Sequence, residues 1–589
     1  MLNNRHSKWL LSFSFLLGGF AIAAPGDLDP AFGTAGSFRR TGGAAKGVLV
    51  QANDKILIAS AESLGENLPT GFGLTRLSAD GTLDTTLDTD GLLVTSVGGS
   101  GQVGGMAVDP ANGKIVVAGN SSGADSIPPY TYRSKFATVR YNADASVDTT
   151  FNGTGTQSTV FATGNSSASC AAVQADGKII AAGFVEVSPN NRRFALARYN
   201  TNGSTDTTFN TTGTVVTDPA SYCYIEAIAI SPTDQKITVA GTYQHPTNYK
   251  YQCMIARYNP DGSLDTSFDT DGLVFTASPN GSVSAHGIGL QSDGKIVVGG
   301  SMDNPGTYED FAIFRYNADG SLDTSFSMDG IVNLDFAVGY DSAKDVKILT
   351  GGKILVGGTA GGDYSSFDAV ASFALVLLNA DGSVDTAFGI GGKALSTGPS
   401  TRDMLATAQQ GDGKVIAVGE FYGENSNPGE AAAVRYKLFA DPPVATRKVD
   451  LRLGLTSAVP VGSNVYNTTG AGQTQSLTIT SGTTRNVFIG VQNDGSAADS
   501  FKLKATAGDS NFTVTYFKGS QNITNALVAG TYNTSSLAAG ATQSLKATIK
   551  AKTLAKDKQR TLTITATSVA KATVSDKVLI KATSKKKPK

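Results

Sequence analysis

The sequence is organised around one fifteen-residue segment that returns along most of its length. The segment reads YNPDGSLDTSFDTDG at Tyr258 to Gly272, and close copies occupy Tyr199 to Gly213 and Tyr316 to Gly330. The first positions of successive copies lie 58 to 64 residues apart. A chain with this period stacks similar supersecondary units, so the repeat predicts a solenoid or a β-propeller.

Three signatures recur in fixed order, seven times each. The aspartate of an L-D-x-x-F motif or a near copy lies at Asp29, Asp84, Asp148, Asp206, Asp265, Asp323 and Asp385. The lysine of a D-G-K motif or a near copy lies at Lys55, Lys114, Lys178, Lys236, Lys295, Lys353 and Lys414. The arginine of an R-Y-N motif or a near copy lies at Arg76, Arg140, Arg198, Arg257, Arg315 and Arg435, and Leu377 takes the seventh position. We predict that each aspartate binds backbone amides or the arginine and braces its repeat, because a feature of every repeat is most simply structural.

The segments between the signatures resemble β-strands. Lys295 to Gly300 is short and β-branched, Phe311 to Tyr316 alternates, and Leu273 to Thr276 follows the fifteen-residue segment. No helix-length apolar period occurs in the mature chain. Four short strands in each repeat predict one propeller blade and an all-β fold.

The two ends of the repeat region complement each other. Leu28 to Phe38 supplies a fourth strand without its first three, and Val434 to Lys437 ends three strands without a fourth. Together they make one blade, and such closure removes exposed sheet edges. We therefore predict a seven-bladed β-propeller over residues 24–437, closed by an N-terminal strand at about residues 36–41.

The motifs L-D-x-x-F-G-x-x-G, Q-x-D-G-K-I and R-Y-N-x-D-G resemble those of the delta-60 repeat family of bacterial β-propellers. The resemblance covers about residues 26–437, and the departures are Leu87, Gln235 and the copy at Leu377. It implies the propeller fold and no shared activity.

The first 23 residues have the plan of a secretory signal peptide. A basic start with Arg5 and Lys8 precedes an apolar run from Trp9 to Phe20 and the small-residue site Ala21 to Ala23. The apolar run is too short to span a bilayer, and we expect no transmembrane segment elsewhere. The mature protein is expected to be secreted, periplasmic or on the cell surface.

The repeat disappears after residue 437. Residues 438–448 read as a linker, and residues 449–583 contain alternating segments separated by turn signals. These segments predict a β-sandwich, and Val491 to Leu503 resembles immunoglobulin-like modules of bacterial secreted proteins. The basic tail, residues 584–589, is expected to be disordered. The predicted strands are Asp450 to Leu455, Gln475 to Thr480, Asn486 to Val491, Ser500 to Lys504, Phe512 to Phe517, Ser544 to Lys550, Thr561 to Thr567 and Lys577 to Lys581.

A formal net charge of −1 conceals two regions of opposite sign. Residues 449–589 contain 18 Lys or Arg against 6 Asp, whereas residues 24–448 contain 28 basic against 43 acidic residues. The basic C-terminal domain is expected to be attracted to an anionic envelope surface. It has no aromatic-interleaved basic groove, so we expect no nucleic-acid partner.

The connections between the predicted second and third strands differ in length and composition, while the other turns are uniform. Scaffold repeats with divergent loops place function on the loop side. Tyrosines are frequent there and suit a recognition surface, although they could equally only cover blade edges. The candidate partner-binding residues are Tyr130, Tyr132, Tyr249, Tyr251, Tyr308, Tyr364 and Tyr422.

Candidates for metal or redox chemistry are few. Asp88 and Asp90, and Asp269 and Asp271, form D-T-D-G sequences that resemble the start of a calcium loop, but a plain turn is the favoured interpretation. We expect no cofactor, with calcium as the alternative. Cys170 is expected to be a small buried side chain on an inner strand, and a disulfide between Cys223 and Cys253 stays open.

No catalytic constellation stands out, and we predict no catalytic residues. Two histidines in the mature chain are too few for the common histidine-rich metal centres. We expect an exported, non-enzymatic binding or scaffold protein that recognises a protein or glycan through its variable loops. The alternative is a secreted hydrolase or lyase that uses the central pocket, for which acidic side chains or a metal at the axis would argue.

Overall fold

The computed structural model describes residues 24–124, 132–162, 164–188, 191–306, 308–336, 339–362, 371–396, 401–421, 430–439, 448–456, 466, 468–553, 555 and 557–586. The chain divides into two compact units, Met1–Asp441 and Pro442–Lys589. The division falls within the segment that the sequence suggests is a linker.

The described part of the first unit contains strands β1 to β28. The first are β1 (Ser37–Thr41), β2 (Ala45–Val50), β3 (Ile56–Ser63), β4 (Thr70–Leu77) and β5 (Leu92–Thr95). They are followed by β6 (Ser100–Val108), β7 (Ile115–Ala124), β8 (Tyr132–Tyr141), β9 (Thr156–Thr159), β10 (Ser166–Val173), β11 (Ile179–Ser188), β12 (Asn191–Tyr199) and β13 (Thr214–Thr217). Next are β14 (Cys223–Ile230), β15 (Ile237–Gln244), β16 (Tyr251–Tyr258), β17 (Leu273–Thr276), β18 (Val283–Leu290), β19 (Ile296–Asn304), β20 (Tyr308–Tyr316) and β21 (Ile331–Leu334). The last are β22 (Tyr340–Ile348), β23 (Ile354–Gly362), β24 (Ser372–Leu378), β25 (Lys393–Leu395), β26 (Thr401–Gln409), β27 (Val415–Phe421) and β28 (Glu430–Tyr436).

These strands form seven four-stranded antiparallel sheets. Six sheets follow chain order, as in β2-β3-β4-β5, but the last has the order β1-β28-β27-β26. β1 pairs with β28, with Ser37 opposite Val434 and Thr41 opposite Glu430. The N-terminal strand therefore completes a sheet made from the other end of the unit, at the residues where the sequence predicts it.

The first strands of the sheets contact one another in order, from β2 through β6, β10, β14, β18 and β22 to β26, and β26 contacts β2. The sheets therefore make a closed ring with these strands innermost. Apolar cores lie between neighbouring sheets, as where Ile180 and Leu196 meet Ile237. Because each sheet is covered on both faces, its middle strands are continuously apolar, as in the buried run from Ile56 to Ala59.

The repeated charged residues form a cluster that we call the Lys–Asp–Arg cluster. In the third sheet, Asp206 Oδ2 lies 2.7 Å from Arg198 Nε and 3.0 Å from Lys178 Nζ. Asp206 Oδ1 accepts hydrogen bonds from the backbone N–H and the hydroxyl of Thr208. Arg198 also donates to the carbonyl oxygen of Pro260 in the next sheet. The cluster thus braces its own corner, as predicted, and also ties neighbouring sheets together.

The cluster recurs in every sheet of the ring. The Lys–Asp pairs are Lys55–Asp84, Lys114–Asp148, Lys178–Asp206, Lys236–Asp265, Lys295–Asp323, Lys353–Asp385 and Lys414–Asp29. An arginine completes six of them, and Leu377 takes its place beside Asp385. Since Asp29 comes from one end of the unit and Arg435 from the other, the chain ends rebuild the same cluster.

A second contact recurs between neighbouring sheets. The Gly203 backbone has φ +87°, and a Cβ there would lie 3.0 Å from the ring of Phe151 in the preceding sheet. Glycine suits this place because it tolerates both the positive φ and the close ring. Leu87 replaces the phenylalanine at one joint, and Ala145 replaces the glycine in the next sheet; both belong to one buried cluster. At this joint the residue that replaces phenylalanine is smaller, and the residue that replaces glycine is larger, so the two changes compensate in volume.

The second unit contains two five-stranded sheets with one common apolar core. Its elements are β29 (Val449–Gly454), β30 (Thr474–Thr480), β31 (Thr484–Asn493), β32 (Phe501–Ala505), β33 (Phe512–Lys518), β34 (Gln521–Asn522), α1 (Thr524–Ala529), β35 (Tyr532–Asn533), β36 (Thr542–Ala551), β37 (Gln559–Ser568) and β38 (Ser575–Lys585). The sheet orders are β29-β31-β36-β33-β34 and β30-β38-β37-β32-β35, with β30 parallel to β38. Ile489 and Ile549 of one sheet and Ile564 and Ile580 of the other are buried together. All eight predicted strands occur, whereas α1, β34 and β35 were not predicted.

Candidate functional site

The ring has two chemically different faces. Because consecutive strands are antiparallel, the D-G-K turns and the L-D-x-x-F loops lie on one face, which we call the turn face. The hairpins between second and third strands, and the links between sheets, lie on the other, which we call the loop face. The Lys–Asp–Arg clusters occupy the turn face, so its repeated charges are already paired within the ring.

Four of the seven tyrosines expected to bind a partner are described, and all four lie in loop-face hairpins. Tyr132 is 72% exposed, Tyr249 71%, Tyr308 58% and Tyr251 37%. The others lie outside the described residues: Tyr130, Tyr364 and Tyr422. The described tyrosines come from three different sheets, so only some could contact the same small ligand.

Two of these tyrosines have unusual backbone conformations. Tyr249 has φ +60° and Tyr308 has φ +69°. A bulky side chain is uncommon in this left-handed region, and such local strain concentrates at functional sites. The Tyr308 ring also packs against Tyr340, with 5.1 Å between the ring centroids.

A polar pocket of about 290 Å³ opens on the loop face between the third and fourth sheets. It is lined by Glu186, Arg192, Tyr222, Gln244 and Tyr251. The Arg192 guanidinium lies 3.9 Å from the ring centroid of Phe184, and its Nε lies 3.5 Å from Glu186 Oε1. Asn165 donates a 3.1 Å hydrogen bond to Glu186 Oε2. The pocket therefore offers a positioned guanidinium, a carboxylate and two phenol groups.

An aromatic pair leads from this pocket to the axis of the ring. Tyr222 and Tyr224 pack edge to face, with 5.7 Å between their ring centroids. Burial raises the pKa of Tyr224 to about 12, and the charge of Glu226 adds to the rise. Glu226 lies two residues further along the innermost strand β14. The loop-face pocket and the axial residues are thus neighbours along one strand.

The axial residues occupy one equivalent position in the seven innermost strands. Each of these strands contains a register shift that leaves one residue without an opposite partner, as between Ile225 and Ala227. Such bulges re-aim a side chain. The seven residues, which we call the axial ring, are Lys46, Gly104, Ser169, Glu226, His286, Lys344 and Leu405.

The charges of the axial ring act on one another across the centre. Burial raises the pKa of Glu226, while the positive charges of Lys344, Lys46 and Arg192 oppose the rise. Burial lowers the pKa of Lys344, and Glu226 opposes that change. Burial also lowers the pKa of His286 well below its usual value, and the charge of Lys344 lowers it further. Since these residues come from four different sheets, their side chains project into one central space.

The sequence interpretation missed the axial ring, although a signal for it is present. Each axial residue precedes the D-G-K lysine of its repeat by nine or ten positions. The residue types there are Lys, Gly, Ser, Glu, His, Lys and Leu, within otherwise similar flanks. A single divergent position inside an innermost strand is what an alignment of the copies would have revealed.

Acidic side chains approach one another at a different place from the one predicted. Asp310, Asp335 and Asp341 have carboxylate oxygens within 4.8 Å of one another on the loop face, an arrangement that could hold a cation. Burial raises the pKa of Asp341, and both neighbouring carboxylates add to the rise.

The D-T-D-G aspartates serve as turn residues. Asp90 accepts a 2.9 Å hydrogen bond from the Leu92 N–H, and Asp271 accepts the same bond from Leu273. Asp88 and Asp269, the other two metal candidates, adopt positive φ in those turns. Within the described ranges, none of the four belongs to a group of three potential ligand side chains.

The three cysteines are free thiols. Cys223 lies on β14 and Cys253 on β16, and β15 runs between them, so the two sulfurs do not form a disulfide. Cys170 lies on the innermost strand β10, where it is half-buried and packs against an apolar core.

Six segments of the chain match the family model described as "Domain of unknown function (DUF5122) beta-propeller". They cover residues 51–87, 111–151, 174–209, 233–268, 291–326 and 352–388. These six segments are β-propeller repeats. The matches end with Leu87, Phe151 and their equivalents, so each propeller repeat includes a lysine and an aspartate of the Lys–Asp–Arg cluster. The repeat made from both ends of the unit lies outside them.

Solved structures similar to the chain include several enzymes. Polysaccharide lyase Uly1 is 11% identical, covers 72% of this chain and 94% of its own, and has a TM-score of 0.37. The GH43 endo-arabinanase from Bacillus licheniformis is 9% identical, with 43% and 89% coverage and a TM-score of 0.26. Sucrose-6-phosphate hydrolase from Lactobacillus gasseri is 9% identical, with 70% and 84% coverage and a TM-score of 0.26. Similarity this low carries no argument about what the propeller repeats of this chain do.

No curated protein matches the chain. Among the described residues, no helix has the length and apolar character needed to cross a membrane.

Proposed function

We propose that the first unit is a seven-bladed β-propeller of delta-60-type repeats, and that the second is an immunoglobulin-like β-sandwich. The pairing of β1 with β28 and the contact of β26 with β2 support the closed seven-fold arrangement. Two five-stranded sheets around one core support the sandwich. In this arrangement the propeller is a rigid platform, and the loop face is its variable surface.

The protein itself, in this proposal, is an exported, non-enzymatic binding protein that recognises a glycan or a protein through the loop face. The observation that carries the proposal is the pocket between the third and fourth sheets. Its guanidinium is held between the Phe184 ring and Glu186, which fixes a donor array before any ligand arrives. Fixed donors reduce the entropy lost on binding, and tyrosine adds contact area with a polar tip. Export follows from the predicted signal peptide, residues 1–23.

The pocket can be tested with purified mature protein, residues 24–589. Isothermal titration calorimetry against a panel of neutral and acidic oligosaccharides should find at least one binder. Tyr251→Ala and Arg192→Gln should each weaken that binding at least tenfold, because each removes a wall of the pocket. Met328→Ala is the matched control, since Met328 is 93% exposed on the turn face. Binding that survives both pocket substitutions, or falls equally with Met328→Ala, contradicts the proposal.

The axial ring favours a second candidate, a secreted hydrolase or lyase that uses the centre of the ring. Burial moves the pKa values of Glu226 and Lys344 towards neutrality, against the effect of each on the other, and burial together with the charge of Lys344 lowers the pKa of His286. Groups perturbed in this way are suited to proton transfer and cluster at active sites. Only one member of the axial ring is a carboxylate, however, so the paired acids of a glycosidase are not present in that ring.

An activity assay separates the two candidates. The mature protein is incubated with a polysaccharide panel, and release of reducing ends or of unsaturated uronates is followed. The binding proposal expects no release above that from a Glu226→Gln variant. Turnover that disappears with Glu226→Gln but persists with Ser169→Ala, a substitution in the same ring, would replace the binding proposal with the enzymatic one.

A further inference from the structure

The outer face of one sheet in the second unit has an unusual composition. In β30, β38, β37 and β32, alternate residues enter the core, for example Ile580, Ile564 and Leu503. The residues between them point outwards and include five lysines. These are Lys502 and Lys504 on β32, and Lys577, Lys581 and Lys585 on β38. We call this surface the lysine face.

No acidic side chain points outwards from these four strands. Their one acidic residue is Asp576, which faces inwards and is fully buried. The ion pairs described in this unit, Arg452–Asp450 and Arg560–Asp509, involve none of the five lysines. A solvated sheet face normally mixes both signs of charge, so a face of one sign attracts a partner of the opposite sign.

Across neighbouring strands the lysines are separated by threonines, whereas along β38 the outward residue between Lys577 and Lys581 is Leu579. Thr565 on β37 lies between Lys504 on β32 and Lys577 on β38 in the strand register. Thr561 lies opposite Lys581 in the same way. Neighbouring strands are about 4.8 Å apart, so Lys504 and Lys577 flank a threonine hydroxyl at about 10 Å from each other. The face thus alternates cations with hydroxyl groups that donate and accept hydrogen bonds.

The charges also form a line. Lys577, Lys581 and Lys585 are spaced four residues apart on β38, which places successive lysines about 13 Å apart along the strand. A shallow groove follows the same strand and is lined by residues of β30, β37 and β38 that include Lys581. A line of separated charges over about 26 Å fits an extended polymer better than a compact anion.

We propose that the lysine face binds a linear anionic polysaccharide. The charge pattern sets the sign of the partner, the line sets its extended form, and the threonines suit a polymer rich in hydroxyl groups. A lipid bilayer fits less well, because the only large apolar side chain pointing outwards from these four strands is the half-buried Leu579, and the exposed large apolar residues in the described part of this unit, Leu455 and Val569, lie outside the strands. Single-stranded nucleic acid fits less well, because no aromatic side chain on the face could stack on bases. The proposal narrows the expected electrostatic contact to one class of polymer and is independent of the loop-face pocket.

The test uses mature protein and four probes: dextran sulfate, unsulfated dextran, vesicles of phosphatidylglycerol, and a single-stranded oligodeoxynucleotide. Dextran sulfate should bind, and unsulfated dextran should not. Binding should weaken as the salt concentration rises, because the release of counterions from the polymer then contributes less free energy. Tighter binding to the vesicles or to the oligodeoxynucleotide than to dextran sulfate would overturn the choice of partner.

A pair of charge-matched variants locates the site. The first variant replaces Lys502, Lys577 and Lys581 with Gln, and the second replaces Lys518, Lys546 and Lys550, which lie on β33 and β36 of the other sheet. Both lose three positive charges from exposed or half-buried positions, so both are expected to keep the parental Tm. The first should bind dextran sulfate at least tenfold more weakly, and the second less than twofold. Equal losses would show that net charge alone attracts the polymer and would overturn a site on the lysine face.

Discussion

Two features recur once in each of the seven sheets, the Lys–Asp–Arg clusters and the residues of the axial ring, and they differ in how much they vary. The Lys–Asp–Arg clusters repeat almost unchanged on the turn face, and their charges are used in ion pairs within and between sheets. The axial ring has one residue per sheet in the same structural position, yet it contains lysine, glycine, serine, glutamate, histidine and leucine. A position that holds the ring together varies little among the sheets, with Leu377 as the one change, whereas a position that faces the axis can vary freely. We infer that the Lys–Asp–Arg clusters stabilise the ring and that the axial ring is available for binding.

If the Lys–Asp–Arg clusters hold the ring together, removal of a cluster aspartate must lower the free energy of unfolding. Asp206→Ala leaves the Arg198 side chain, which is only 5% exposed, without its anion and exposes Thr208 groups that Asp206 now binds. Breaking a buried pair from one side costs about 3–5 kcal/mol in the free energy of unfolding. We therefore expect a loss of about 3 kcal/mol, measured by urea unfolding followed by circular dichroism.

The chain provides a matched control for that prediction. Asp385 occupies the equivalent place, but Leu377 replaces the arginine and Lys353 is its remaining cationic partner. Because the Lys353 side chain is 36% exposed, the pair is more screened by water. Asp385→Ala should cost about 1 kcal/mol or less. Equal losses at Asp206 and Asp385 would show that the arginine contributes nothing to the brace.

The joint at Leu87 and Ala145 tests whether the two residues that meet between neighbouring sheets are coupled. Leu87→Phe adds ring atoms beside Ala145, where five other joints have glycine against the ring. Overpacking of a filled core costs about 1–3 kcal/mol. The double variant Leu87→Phe with Ala145→Gly should recover most of that loss, because glycine opens the space and relieves the φ of +73° at residue 145. Additive effects in thermal unfolding would mean that the two residues are not coupled.

These joints also show why the repeats could be interpreted from the sequence. The motif L-D-x-x-F needs an aspartate that can cap its own turn and a ring that fills the space under the next glycine, so chemistry and spacing are both constrained. The repeats, the strands and the closing pairing of β1 with β28 follow from such local rules. The pairing of Asp206 with Arg198, eight residues apart, also lies within their reach.

The pocket and the axial ring depend on non-local geometry instead. Glu226 and Lys344 are 118 positions apart, and their charges meet only because the ring closes. Arg192 and Tyr251 belong to neighbouring sheets and line the same pocket. The sequence therefore predicted Tyr251 as a binding residue but did not indicate which residues would surround it. The other described candidate tyrosines, Tyr132, Tyr249 and Tyr308, are exposed but do not line that pocket.

The axial ring should respond to substitution with the opposite sign from the clusters. Burial raises the pKa of Glu226, so its protonated form is favoured in the folded state. The stability from that form is complete below the unfolded pKa near 4.5 and is lost as the pH rises through the folded pKa. Glu226→Gln should therefore raise the Tm slightly at pH 7 and leave it unchanged at pH 4. A lower Tm at both pH values would place Glu226 among the structural carboxylates.

The smallest expected effect concerns His286, whose pKa is held well below 6.5 by burial and by the charge of Lys344. In the unfolded chain this histidine binds a proton as the pH falls through 6.5, whereas in the folded chain it stays neutral. Its neutral form thus contributes stability that is complete above 6.5 and declines as the pH falls towards the folded pKa. His286→Asn should reduce the decrease in Tm between pH 7 and pH 5.5, and His245→Asn, in a loop-face hairpin, serves as the control. If both variants keep the parental pH dependence, His286 is open to protons in the folded protein, and the axis would then be a hydrated channel rather than a desolvated site.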